Sequence, residues 1–295
     1  MGLMLNGTYH AEDPAPDADA GGEFKRAAAG IRHMLDAPDP ATLHLYAAWN
    51  CPWAHRALLA RAVLGLDEMT VSYARPRRTD QGWVFDREGD YNDPLLGVAS
   101  LHEVYARQRP AYTGRITVPV LWDKVTGQIV SNESADILRM LGGNRLYPAQ
   151  HAAEIDTWND LIYPTLNNGV YRAGFARTQE AYEAGVRDVF ATLDKLEAHL
   201  TTQDWLAGDD LTEADLRLFP TLARFDVAYH YAFKCNIRRL TDYPALWRYA
   251  RRIYALPGVA ETVNFEIYKQ GYFSPSELRN PLGIVPLGPE IDWSL

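Results

Sequence analysis

Two kinds of hydrophobic pattern divide this chain, and their order constrains its fold more than any other feature. Between residues 41 and 143, short apolar runs suited to strands alternate with helical runs. Residues 151–265 carry helical periodicity almost throughout. This order predicts a mixed α/β domain followed by an all-α domain, and a chain of 295 residues is long enough to build both.

The two ends of the chain predict further segments. Residues 1–40 are predicted to be an N-terminal arm, and residues 1–24, rich in Asp, Pro, Ala and Gly, are expected to be poorly ordered. Residues 266–295 are predicted to be a C-terminal extension, because the tail after Lys269 is rich in Pro and Gly. Residues 75–112 lack a sustained period, so we expect a long insertion there rather than a core element.

The α/β domain begins with a strand–helix–strand pattern that contains its candidate reactive residue. The apolar run over residues 43–49 predicts a buried strand, and a helix follows directly from Cys51. Pro52 suits the first turn of that helix, and Gly65 suits its end. Residues 69–74 then predict a second strand. The order strand, helix, strand places Cys51 at a helix N-terminus.

The rest of this domain predicts a hairpin and a second helix. Strands are expected over residues 117–122 and 128–131, with a helix from about Asn132. Pro119 interrupts the first of these strands, which an edge position or a cis peptide bond would explain. The resulting βαβ…ββα order predicts a small mixed sheet covered by helices, the thioredoxin-like arrangement.

Composition excludes several classes of function. The formal net charge of −9, without a long Lys/Arg run, argues against nucleic acid as a partner. Apolar stretches shorter than the roughly 18 residues of a membrane span, and an N-terminus unlike a secretory leader, argue against membrane insertion and export. Two cysteines are too few for a disulfide framework, which favours the cytoplasm. Neither a metal-ligand spacing nor a dinucleotide or P-loop motif occurs, so we assign no metal.

Cys51 is the candidate nucleophile. Cysteines react as thiolates, and the free N–H groups and dipole at a helix N-terminus lower the pKa of a cysteine. The alternative is a small buried side chain, the usual role of a free cysteine and the role we expect for Cys235. The sequence Cys51-Pro52-Trp53-Ala54 has no second cysteine at the CxxC position. A reaction at Cys51 would therefore need an external thiol.

Several longer blocks carry a specific resemblance. They are NCPWAHR (50–56), GWVF (82–85), EVY (103–105), YTGRITVPVLWDKVTGQIVSNESADILRM (112–140), NNGVYRAGFA (167–176), FDVAY (225–229), FKCNIRRLTDYPALW (233–247) and GIVPLGP (283–289). Together these blocks resemble the glutathionyl-hydroquinone reductases, also called Xi-class glutathione transferases. The resemblance implies the glutathione transferase fold, an N-terminal thioredoxin-like domain with a C-terminal helical bundle.

The resemblance also implies a reaction and a thiol co-substrate. Cys51 would attack the sulfur of a glutathionyl-hydroquinone, forming a mixed disulfide with glutathione and expelling the hydroquinone. A second glutathione would then release glutathione disulfide. Among this chain's residues, the glutathione-binding set implied by the resemblance is Trp83, Val118, Pro119, Glu133 and Ser134.

Three tyrosines are implied to bind the aromatic conjugate. Tyr171 would face the sulfur and donate a hydrogen bond to the hydroquinone oxygen, and Tyr229 and Tyr272 would complete the substrate site. The family usually has a pair of tyrosines at the last of these positions, and here the partner of Tyr272 is Gly271. Ala232 similarly replaces a histidine usual before FKCN. The thiol site is thus intact while the substrate region has diverged.

Two other functions use the same fold. An omega-like thioltransferase or dehydroascorbate reductase would need Cys51 but not the tyrosines. A non-enzymatic binder of aromatic ligands would need no activated thiol at all. The resemblance further implies a homodimer, for which the sequence gives no independent sign.

Overall fold

The computed structural model describes residues 2–11 and 18–295, and these divide into two units. The first unit contains residues 2–11 and Ala27–Leu141, and the second contains residues 18–26 and Gly142–Leu295. The predicted domain bounds at 40/41, 143/151 and 265/266 remain a prediction. The elements of the first part of the chain are β1 (Leu3–Leu5), β2 (Thr8–His10), β3 (Leu43–Ala47), α1 (Pro52–Leu64), β4 (Thr70–Tyr73), α2 (Leu101–Gln108), β5 (Gly114–Arg115), β6 (Val120–Asp123), β7 (Gln128–Ser131) and α3 (Ser134–Leu146).

The central sheet of the first unit is mixed, as predicted. Its strand order is β4-β3-β6-β7, in which β3 and β4 are parallel and the other pairs are antiparallel. All five residues of β3 are buried, which fits its continuous apolar character. The strand predicted from residue 117 begins only at Val120. Pro119 has no N–H to donate to a ladder, so regular pairing starts after it.

Two expectations for the first unit are wrong. Residues 1–24 were expected to be poorly ordered, but β1 pairs with both β2 and β5, so residues 3–10 form a β-hairpin within a small sheet. Residues 12–17 of that segment lie outside the described residues. Within 75–112, α2 buries Leu101, Val104 and Tyr105, so part of the predicted insertion belongs to the core. Eight residues are too short for a clear helical period among the surrounding loops.

The second unit is helical, in agreement with the predicted periodicity. Its segment 18–26 packs on these helices through an Arg172–Glu23 ion pair of 2.8 Å. Two π-helical turns, at Tyr163–Asn167 and Phe225–Tyr229, each follow directly on an α-helix. The helices are α4 (Ala152–Ile162), α5 (Gly169–Gly174), α6 (Gln179–Leu200), α7 (Glu213–Arg224), α8 (His230–Ala232), α9 (Pro244–Tyr254) and α10 (Phe265–Tyr272).

Helix α10 was missed by the sequence analysis. It spans Phe265–Tyr272, across the predicted start of the C-terminal extension at residue 266. Asn264 caps it, since its Oδ1 accepts the N–H of Ile267 at 3.0 Å. The Pro- and Gly-rich composition of the tail obscured the helical pattern of these residues. Within residues 2–11 and 18–295, no helix combines the length and apolar character that a membrane span requires.

Candidate active site

The sulfur of Cys51 lies at the N-terminus of α1, as predicted. Cys51 has extended backbone angles (φ −84°, ψ 115°) and is the residue that caps the helix. Its Sγ accepts the backbone N–H of Ala54 at 3.5 Å, and Pro52 occupies the first turn without needing a partner for a backbone N–H. The residue is half-buried. Cys51 is therefore a partly accessible thiol held against the positive end of a helix.

Val118 and Pro119 lie beside this thiol. The Val118–Pro119 peptide bond is cis, one of the two explanations considered for a proline at this position. The Cys51 thiol donates a hydrogen bond to the Val118 carbonyl oxygen at 3.5 Å. One of the predicted binding residues, Val118, thus contacts the predicted nucleophile through its backbone carbonyl, and Pro119 follows it across the cis peptide bond.

Glu133 and Ser134 form a polar pair where β7 turns into α3. Glu133 Oε1 accepts the N–H of Ala135 at 3.0 Å, and the Ser134 hydroxyl donates to the same oxygen at 3.5 Å. Asn132 fixes this turn, because its Oδ1 accepts the N–H of Ile31 at 3.0 Å. Glu133 keeps partial exposure while Ser134 is buried. The pair offers both a carboxylate and a hydroxyl to a polar ligand.

Arg56 is a residue of this region whose role the sequence analysis did not assign. It is 2% exposed, and its Nη1 donates to Ser134 Oγ at 3.3 Å. Its guanidinium also lies 4.6 Å from the centre of the Trp53 ring. One signal was available in the sequence, a charged residue in the first two turns of α1, close to Cys51. Arg56 links the first turn of α1 to the start of α3.

Trp83 is connected to the start of α2 by a backbone hydrogen bond. Its carbonyl accepts the N–H of Leu101 at 2.8 Å, and the Arg78 guanidinium lies 5.4 Å from its ring centre. The indole is 7% exposed, and among the described residues its Nε1 has no hydrogen-bond acceptor. A buried N–H donor without an acceptor costs free energy, so Trp83 is suited to donate to a bound ligand.

The three predicted tyrosines form a hydrogen-bonded trio in the second unit. The hydroxyl oxygens of Tyr171 and Tyr272 are 2.7 Å apart, and those of Tyr229 and Tyr272 are 3.0 Å apart. Each phenol hydroxyl carries one proton and can both donate and accept. A proton of the trio that turns towards another group would let the cluster donate a hydrogen bond to it.

Burial keeps these phenols protonated. Burial raises the pKa of both Tyr229 and Tyr272 well above the ordinary value for tyrosine, and the neighbouring Tyr171 raises them further. Tyr229 and Tyr272 therefore remain neutral donors across the physiological pH range.

Phe233 organises the trio and was not singled out from the sequence. Its ring lies 5.3 to 5.5 Å from the ring centres of Tyr171, Tyr229 and Tyr272. Gly174, on α5, gives this ring its space, because a Cβ at that position would overlap the Phe233 side chain. The signal in the sequence was the block beginning FKCN, but nothing local indicates which aromatic rings meet there.

Cys235 has the packing role expected for it. Its side chain is completely buried, and burial raises the pKa of its thiol to about 12. In the part of the chain that the structure describes, no three His, Cys, Asp or Glu side chains come together as a metal-ligand set.

Comparisons with known proteins identify the family. The family models described as "Glutathione S-transferase, N-terminal domain" and "Glutathione S-transferase, C-terminal domain" match residues 50–143 and 179–252. The glutathionyl-hydroquinone reductase PcpF of Sphingobium chlorophenolicum is 46% identical, covering 98% of this chain and 96% of that protein. The glutathionyl-hydroquinone reductase YqjG of Escherichia coli is 42% identical, covering 98% and 95%. The chain belongs to the glutathionyl-hydroquinone reductase family.

Solved structures of this family agree with the fold. A Xi-class glutathione transferase from Phanerochaete chrysosporium has a TM-score of 0.88 at 43% identity, covering 94% of this chain and 96% of that one. The glutathione-bound structure of YqjG has a TM-score of 0.84 at 40% identity, covering 98% and 96%. The predicted fold class, a thioredoxin-like domain with a helical C-terminal domain, is confirmed.

Proposed function

We propose that this chain reduces glutathionyl-hydroquinones to hydroquinones, with glutathione as the co-substrate. The observation that carries the proposal is the Cys51 sulfur, which is partly accessible and accepts the Ala54 N–H at the start of α1. Full-length relatives named for this reaction support the choice of substrate.

In the first half-reaction, the Cys51 thiolate attacks the sulfur that joins glutathione to the ring. An aryl carbanion is a poor leaving group, so a hydroxyl proton of the substrate is first transferred to the ring carbon that bears sulfur, giving a dienone. Attack then forms the S–S bond and breaks the C–S bond. The electron pair of the C–S bond returns to the ring, and negative charge develops on the hydroquinone oxygen before a proton neutralises it.

In the second half-reaction, a glutathione thiolate attacks the mixed disulfide at the glutathione sulfur. This step restores the Cys51 thiolate and releases glutathione disulfide. Over the whole cycle two glutathione sulfurs are oxidised to a disulfide, and the ring carbon is reduced from C–S to C–H. The missing CxxC cysteine is consistent with this need for an external thiol.

The first unit has groups that suit the ends of glutathione. We propose that the Glu133 carboxylate accepts from the γ-glutamyl ammonium, while Ser134 helps to hold the neighbouring carboxylate. Backbone atoms of Val118, beside cis Pro119, would pair with the peptide. The Trp83 Nε1 donor, for which the described residues supply no acceptor, would donate to the glycyl carboxylate.

The tyrosine trio suits the developing phenolate. We propose that Tyr171 donates a hydrogen bond to the hydroquinone oxygen and that Tyr229 and Tyr272 support it through the trio's hydrogen bonds. Donors that stay neutral are well suited to a charge that appears only during reaction. We further propose a cytoplasmic homodimer. Cys51 and Cys235, which form no disulfide within the described part of the chain, suit a reducing compartment, and light scattering of the purified protein tests the dimer.

The experiment compares the two cysteines. Cys51→Ala should lower hydroquinone release from a glutathionyl-hydroquinone at least about a thousandfold, because the nucleophile is lost. Cys235→Ala is the matched control and should keep activity within about twofold, once its loss of stability is allowed for. Full activity in the Cys51 variant would end the proposal.

A second pair of assays separates this reaction from simple disulfide exchange. Tyr171→Phe should slow hydroquinone release about tenfold or more, because a donor to the leaving oxygen is removed. Exchange with the mixed disulfide of glutathione and 2-mercaptoethanol needs only the thiol site and should change less than about twofold. Hydroquinone release that is unchanged in Tyr171→Phe would argue for the thioltransferase function instead.

A further inference from the structure

A buried cation lies next to the tyrosine trio. Arg224, the last residue of α7, is completely buried. Its Nη1 donates to the Pro220 carbonyl oxygen at 3.0 Å, and its guanidinium carbon lies 3.8 Å from the centre of the Tyr268 ring. A guanidinium is costly to remove from water, so it is buried only where its surroundings compensate for that cost. The aromatic face of Tyr268 is part of those surroundings.

Two helical features bring this cation towards the trio. The π-helical turn Phe225–Tyr229, with its i→i+5 hydrogen bonding, follows Arg224 directly, so Tyr229 comes roughly one turn after Arg224. On α10, Tyr268 and Tyr272 are four residues apart and share a face. The ring contact between Arg224 and Tyr268 joins these two segments.

The electrostatics agree with this placement. Burial opposes the charge of Arg224, but interaction with the four tyrosines Tyr268, Tyr272, Tyr229 and Tyr171 outweighs burial and raises its pKa. In return, the charge of Arg224 lowers the pKa of Tyr229 and Tyr272, against the larger effect of their burial. The cation therefore strengthens these phenols as hydrogen-bond donors.

We propose that Arg224 is a positioning residue of the reaction, whose buried charge acts through the tyrosine trio to stabilise negative charge on the hydroquinone oxygen. This inference rests on the proposed function and extends it. The charge matters only when the C–S bond breaks, since disulfide exchange at Cys51 places no charge on a phenol oxygen.

Arg26 is a second cation near the trio. Arg26 lies over the Tyr171 ring, with its guanidinium carbon 4.7 Å from the ring centre. It is only partly buried and its Nε donates to Asn168 Oδ1 at 2.8 Å. Water screens a partly exposed charge more than a buried one. The charge of Arg224 should therefore act on Tyr229 and Tyr272 more strongly than the charge of Arg26 does.

The test measures two activities of the full-length enzyme and takes their ratio, hydroquinone release divided by exchange with the glutathione–2-mercaptoethanol disulfide. Arg224→Met should lower the ratio about tenfold, and Arg224→Lys, which keeps a charge, should recover most of it. If Arg224→Met is insoluble, the neutral Arg224→Gln replaces it, with the same expected fall in the ratio.

Arg217→Met is the matched control. Arg217 lies on the same helix and pairs with the buried Glu213 at 2.8 Å, so its loss should lower stability without changing the ratio. An unchanged ratio in the neutral Arg224 variant, or a Lys variant no better than the neutral one, would overturn the inference. Absence of hydroquinone release by the wild-type enzyme, with exchange intact, would instead remove the proposed function and this inference together.

Discussion

Cys51 and Cys235 carry the same thiol in opposite surroundings. Cys51 is half-buried at a helix N-terminus, where it accepts the N–H of Ala54. Cys235 is completely buried in the helical unit, and burial raises its pKa to about 12. Position relative to a helix end and to solvent, rather than residue type, therefore separates a candidate nucleophile from a packing residue.

The largest expected effect is on alkylation of the two thiols. At neutral pH iodoacetamide should modify Cys51 at least about a thousandfold faster than Cys235, because only the first thiol is accessible and stabilised as a thiolate. Peptide mass spectrometry at timed intervals measures both rates in one sample. Comparable rates, with the fold intact by circular dichroism, would break the contrast.

Burial also shifts the pKa of a histidine in the first unit. His44 is completely buried, bonded to Thr70 and Ser72, and burial lowers its pKa to about 4. In the unfolded chain the pKa of this histidine is about 6.5. Between about pH 6.5 and about pH 4 the unfolded chain therefore binds a proton at this side chain that the folded chain does not bind. Stability is thus complete above about pH 6.5 and should fall by on the order of 3 kcal/mol by pH 4.

Urea unfolding of wild type and His44→Gln at pH 7 and pH 4.5 measures this loss. The variant should lose less stability between the two pH values than the wild type does, since its side chain does not titrate. His151→Gln, at a partly exposed position, is the control and should behave as the wild type. Equal losses in wild type and His44→Gln would contradict the assignment.

The smallest expected effect tests whether the Cys51 thiol site and the aromatic rings around Phe233 can be changed independently. Gly174→Ala should displace Phe233 and lower hydroquinone release about tenfold, through the overpacking cost of roughly 1–3 kcal/mol. Alkylation of Cys51 should not change. Ala173→Gly, at the neighbouring residue, is the control for an altered α5 without overlap. A fall in Cys51 alkylation along with hydroquinone release would show that the two regions are not separable.

The thiol region could be predicted largely from local sequence. A buried strand, Cys51 and Pro52 lie within a few residues of each other, and their order alone indicates a cysteine at a helix N-terminus. The tyrosine trio could not be derived in this way. Tyr171 and Tyr272 are 101 residues apart, so only the family resemblance brought them together before the structure did. No helix was predicted over α10, which carries Tyr272. The π-helical turn that carries Tyr229 was predicted only as part of a longer helical run, because periodicity does not separate a π-turn from an α-helix.

The central claim is that the helix N-terminus stabilises the Cys51 thiolate. The rate of iodoacetamide alkylation against pH tests it directly, in the Cys235→Ala protein so that one thiol remains, both native and unfolded in urea. We expect the native midpoint to lie clearly below the unfolded one, by at least about one pH unit. A native midpoint equal to or above the unfolded midpoint would contradict the account.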